Sequence, residues 1–131
     1  MRLHFILVLS EDPAASTEFY RRLFGCAPRV ESWEGRGYVE FRFGATTLAI
    51  RGVDQALLAA HDLSQSPTSV GWGVFLVFSI DNFDQVYGRA RAAGFRILDG
   101  EFSDRGRRYF AVKDPSGYVI EICEETYGKA P

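Results

Sequence analysis

The stretch that decides the fold runs Phe110-Ala-Val-Lys-Asp-Pro-Ser-Gly-Tyr-Val-Ile-Glu-Ile122. Phe110 and Val112 on one side, and Val119, Ile120 and Ile122 on the other, are β-formers flanking a turn. Asp114-Pro-Ser-Gly117 supplies that turn: Asp opens it, Pro115 presets φ, and Gly117 accepts a positive φ. Two strands and a tight connection predict a hairpin. In the second strand Tyr118, Ile120 and Ile122 face one way, while Val119, Glu121 and Cys123 face the other. A carboxylate in the middle of so apolar a strand needs a partner or a task.

Upstream, Leu3–Leu9 reads as a strand. Asp12 and Pro13 provide an N-cap and a first-turn proline for a helix to about Phe24, which Gly25 ends. Strands follow at about Pro28–Trp33, Tyr38–Phe43 and Thr46–Arg51, with glycines 35, 37 and 44 marking the turns. Val53–His61 is a short helix, and 62–73, rich in Ser, Pro, Thr and Gly, is a linker. The pattern then restarts. Val74–Ile80 is a strand, Asp81 caps a helix that Gly94 stops, and strands follow at about Arg96–Asp99, Arg107–Val112 and Tyr118–Glu124. Asp12 and Asp81 are 69 apart, as are Gly25 and Gly94, and Phe41 and Phe110. This internal duplication predicts an α+β chain of two βαβββ modules, residues 1–52 and 74–125, joined by a linker over 53–73. Neither module buries its sheet alone. Pairing them predicts a cupped mixed sheet with helices outside.

The 131 residues suit one domain with a substantial core, and 47% hydrophobic content with 15% aromatics argues against disorder. A net charge of −2 leaves no basic footprint for nucleic acid. Apolar runs such as Phe5–Leu9 and Val74–Phe78 are strand-length and too short for a bilayer. No signal peptide is visible. Cys26 and Cys123 form no framework, which predicts a reducing, cytoplasmic location.

The DPSGYVIEI hairpin and the opening LVLSEDPAASTEFYRRLFG resemble the vicinal oxygen chelate superfamily, which includes glyoxalase I, extradiol dioxygenases, and fosfomycin- and bleomycin-resistance proteins. The resemblance spans nearly the whole chain and implies the glyoxalase/bleomycin-resistance fold, a cup that holds a small molecule, and a homodimer. It also implies a divalent metal held by a residue on the first strand and a carboxylate on the last strand of each module. Carried over, those positions fall on Phe5, Ala49, Phe75 and Glu121, and only Glu121 keeps a ligand's chemistry. No metal or other cofactor is therefore expected, with a divalent ion kept as the alternative. His4 lies one residue before the carried-over position and so faces the other side of a regular strand. His61 has no partner at ligand spacing.

Glu121 has three readings: a structural carboxylate held by a backbone amide or by an Arg such as Arg42, Arg51 or Arg108, a group that orients a ligand, or a general base. Trp33, Trp72 and Tyr109 lie on or beside cup strands and suit a planar ligand together with Phe5, Ala49, Phe75 and Glu121. The stretch 103–108 is a loop placed to rim the pocket or to be a solvated turn. The resemblance is nearest in character to bleomycin-resistance proteins and implies a metal-independent binder, one that sequesters an antibiotic. The alternative is a superfamily enzyme of lyase, isomerase or dioxygenase type, with Glu121 as base or metal ligand. Whether the chain is an enzyme is open at this point.

Overall fold

The computed structural model describes residues 1, 3–61, 74–104 and 107–125. The elements run β1 (Ile6–Ser10), α1 (Pro13–Phe24), β2 (Val30–Ser32), β3 (Tyr38–Phe43), β4 (Thr46–Gly52), α2 (Gln55–Ala60), β5 (Phe75–Ile80), α3 (Phe83–Ala92), β6 (Asp99–Asp104), β7 (Arg107–Lys113) and β8 (Val119–Glu124). They form two βαβββ modules. Each carries a mixed four-stranded sheet, ordered β1-β4-β3-β2 and β5-β8-β7-β6, in which the first strand runs parallel to the last.

Local chemistry accounts for most boundaries. The Asp12 side chain accepts from Ala15 N at 3.0 Å, Pro13 opens α1, and Gly25 at φ +64° closes it by donating to Arg21 O. Gly117, at φ +90°, donates to Asp114 O, and Asp114 N donates to Tyr118 O, closing the predicted hairpin. Tyr118, Ile120 and Ile122 are buried and Glu121 is half-buried, as strand parity requires.

Three expectations need correction. The N-cap of α3 is Asn82, not Asp81, because Phe83 enters the core as the first helical residue; Asn82 makes no side-chain cap and instead donates to Gln85. The strand expected over Arg96–Asp99 is β6, displaced to Asp99–Asp104. Pairing with β7 overrides the low strand propensity of Asp99-Gly-Glu101, and the register is irregular between Asp99 and Phe102. That hairpin takes 103–104 and 107–108 of the predicted loop into its ladder; 105–106 lie outside the described residues.

The third correction concerns the repeat. Leu7, Ala49 and Glu40 form one row across the first sheet; Val77, Glu121 and Ala111 form the matching row of the second. Row by row, Phe110 therefore matches Val39 and not Phe41. Phe41 and Phe110 are both fully buried, and each packs among aromatic rings of its own module's helix, so the eye pairs them.

One core serves both modules. The Phe19 ring lies 4.7 Å from Phe95, and Phe24 and Phe43 lie 4.7 and 5.3 Å from Phe78. Tyr20 Oη donates to Asp114 Oδ2 at 2.8 Å, and Leu9 N donates to Tyr118 Oη at 3.1 Å. Arg89 of α3 donates to Phe24 O, the terminal carbonyl of α1, and its guanidinium lies where a side chain on Gly25 would stand. No described helix is long and apolar enough to cross a membrane.

Candidate functional site

Each sheet turns one face to its helix and one away. In the first, Val8 and Ser10 point into the core, so Phe5 and Leu7, 37% and 41% exposed, look out from the other face. Ala49 shares that face, flanked by its ladder partners Leu7 and Glu40. In the second sheet the outer face carries Phe75 and Val77, 65% and 58% exposed, with Glu121, Cys123 and Tyr109 beside them. The structure thus gathers Phe5 with Ala49 on one sheet, and Phe75, Tyr109 and Glu121 on the other.

Glu121 sits between Val77 and Ala111, and Cys123 Sγ donates to its Oε1 at 3.5 Å. Arg108 is not its partner. That guanidinium reaches Glu124 at 2.9 Å and Asp84 at 2.8 Å and lies 4.6 Å over the Phe83 ring, on the helix side of the sheet. The Asp84 carboxyl is held below its ordinary range by the hydrogen bond and charge of Arg108. Arg42 is occupied with Gly44 O at 2.8 Å, and Arg51 stands opposite Tyr38 in the first sheet.

The donor set does not fit a divalent metal. The four carried-over positions offer one carboxylate and no imidazole, and among the described residues no three His, Cys, Asp or Glu side chains converge. His4 is exposed, with its ring 5.0 Å from Phe5. His61 places Nδ1 2.9 Å from Leu57 O at the end of α2.

Of the predicted aromatics, Tyr109 shares the outer face with Glu121, opposite Cys123. Trp33 is 51% exposed, and its ring lies against Gly37, which Pro13 at the start of α1 also approaches. The Gly37 backbone, at φ +92°, leaves room for that ring where a Cβ would stand 3.2 Å from it. Trp72 lies outside the described residues.

Two features escaped the sequence reading. Glu40 occupies the outer face next to Ala49, and Tyr38 Oη donates to its Oε1 at 2.6 Å. That hydrogen bond, aided by burial, pushes the Tyr38 phenol up to about 12. The alternation of Tyr38, Glu40 and Arg42 with Val39, Phe41 and Phe43 carried this signal, by the same parity that singled out Glu121.

The second is a cavity of about 590 Å³ between the modules, along the open edge of β5. Phe24, Phe43 and Phe78 wall it with Ile6 and Leu48, and Phe75 lies on its rim side along β5. This volume and lining match a site for a small organic molecule. The rings come from α1, β3 and β5, so no single stretch of sequence displays them.

The family model described as "Glyoxalase/Bleomycin resistance protein/Dioxygenase superfamily" matches residues 2–122. Among solved structures, a glyoxalase/bleomycin resistance protein/dioxygenase family enzyme from Burkholderia phytofirmans is similar at TM-score 0.76 and 20% identity, over 95% of this chain and 98% of the other. A protein of unknown function from Agrobacterium tumefaciens aligns at TM-score 0.74 and 24% identity, over 95% and 94%. A lactoylglutathione lyase from Agrobacterium tumefaciens aligns at TM-score 0.71 and 19% identity, over 99% and 98%. At these identities the likeness is one of fold. No curated protein matches the sequence.

Proposed function

Since the chain belongs to the glyoxalase/bleomycin resistance protein/dioxygenase superfamily, we propose that it is one of the superfamily's small-molecule binders, working without a metal. The observation that carries this reading is the aromatic-walled cavity of about 590 Å³ beside outer sheet faces on which three of the four ligand positions are apolar. The ligand is planar or aromatic, and bleomycin-type antibiotics head the panel to be screened. Cys26 and Cys123, both half-buried and neither in a disulfide, suit a reducing compartment such as the cytoplasm. Calorimetric titration of the panel tests the reading: heats that saturate at one ligand per chain support it, and none across the panel sinks it.

A second reading, catalysis with Glu121 as base, draws on that half-buried carboxylate on the outer face. Glu121→Gln separates the roles. If Glu121 orients a ligand, the change weakens binding by about 1.5–3 kcal/mol, the range for a charged hydrogen bond, and leaves melting unchanged. If Glu121 is structural, melting falls and affinity holds.

The same face predicts a homodimer. Phe5, Leu7, Phe75 and Val77 stand exposed on β5, β1 and the residue before it, and β1 and β5 are end strands of their sheets. Such apolar edges call for cover, and a twofold dimer is the commonest solution. Light scattering at micromolar concentration should give twice the chain mass of 14.7 kDa; a monomer mass would count against it.

A further inference from the structure

We propose that the cavity along β5 selects organic cations: a flat apolar body carrying an ammonium or amidinium group. This rests on the ligand-binding reading above and adds the ligand's charge class. Every charged residue among the described residues that line the cavity is acidic: Asp81 and Glu125 are both present, and no described Lys, Arg or His lines it.

The two carboxylates are placed together by the backbone. Asp81 directly follows Ile80, the last residue of β5, and Glu125 N donates to Ile80 O at 2.6 Å. Both acids therefore stand at the Ile80 end of β5, and Phe24, Phe43 and Phe78 also line the cavity. Their centroids are mutually 4.7–5.3 Å apart, a ring cluster on which a flat body packs. The division is that of an amphipathic ligand, with an apolar body toward the rings and a positive head toward Ile80. Ring faces also attract cations, which reinforces the selection. Asp81 and Glu125 are both exposed, so each pair with a ligand head is weak. Two acting together set a preference of about tenfold.

Three probes of one shape test this at neutral pH: naphthylmethylammonium, naphthalenemethanol and naphthoate, titrated by calorimetry into the full chain. The cation should bind about tenfold tighter than the alcohol, and the carboxylate weakest of the three. The double variant Asp81→Asn, Glu125→Gln should bring the cation to the level of the alcohol without moving the alcohol's affinity. Phe78→Leu should weaken cation and alcohol together, and unchanged affinity there would place the probes elsewhere and overturn the assignment. Equal affinity for all three probes would overturn the charge class while leaving small-molecule binding intact. No binding of any probe by a dimeric protein would overturn both and assign the cavity to the second copy.

Discussion

Replacing Asp114 with alanine should lower the melting temperature by roughly 10–20 °C, the largest loss expected from any single polar change. Asp114 is 5% exposed and accepts four donations at once: Tyr20 Oη on Oδ2 at 2.8 Å, Ser116 N and Tyr118 N on Oδ1 at 2.9 Å, and Gly117 N on its backbone carbonyl. Three of these end on the side chain. Alanine leaves a buried phenol and two amides without an acceptor, at about 1–3 kcal/mol each where water cannot enter. The sum, discounted for relaxation, is about 3–5 kcal/mol, and for a chain of this size each kcal/mol moves melting by roughly 3–4 °C. A fall of under 5 °C by calorimetry would mean that water reaches the turn and replaces the carboxylate.

Asp114→Asn refines the test, because it keeps an acceptor for the two amides. Burial holds the Asp114 carboxyl above its ordinary value of 3.8, against the lowering pull of the bonds from Tyr20, Tyr118 and Ser116. A carboxyl that binds its proton more tightly in the folded state contributes most below the unfolded value and loses that contribution as pH rises through the folded one. The wild-type protein should therefore gain on the Asn variant as pH drops from the upper acid range toward 3.8. A difference that is flat with pH would contradict this. The Tyr20 phenol, buried against the same carboxyl, is pushed far up and stays neutral throughout.

Phe110→Ala should cost about 3–5 kcal/mol, the range for removing a fully buried ring. Phe110 is 0% exposed and meets Phe83 and Tyr87 edge-on, at 5.5 and 5.2 Å. Its backbone lies mid-ladder opposite Ile122, so the surrounding structure has little freedom to collapse into the hole. Phe110→Leu, which retains most of the volume, should cost less than half as much. Urea titrations give both figures, and an alanine penalty below 1.5 kcal/mol would place Phe110 outside the shared core.

What could be read beforehand was whatever is local. The DPSG turn, the caps of α1 and the parity of Tyr118–Cys123 depend on residues within a few positions of one another, and all three are found as expected. The displaced β6 was hidden because Asp99-Gly-Glu101 has no strand propensity and is ordered by β7. The cavity was hidden for a related reason, since its three rings lie on two modules and meet only after docking. Glu40 was legible in principle. The carboxylate of the first module's outer face stands on β3, the strand next to the last, and not on β4 where the resemblance puts it.

The drift in the repeat has a consequence for how the two halves came to differ. Matching rows put β1 and β5 70 residues apart, β3 and β7 71, and β4 and β8 72. An odd insertion inside a strand would have swapped its two faces and turned core residues to solvent. The facing of the rows on β1, β3 and β4 is nevertheless preserved in β5, β7 and β8, so the length changes lie between those strands: in the helices, 12 residues against 10, in the irregular register of β6, and in the connections. The segments between these paired rows thus act as expansion joints. They let each half of the duplicated chain drift in length and in outer-face chemistry, alanine at 49 and glutamate at 121, while the inner faces stayed in phase with a common core.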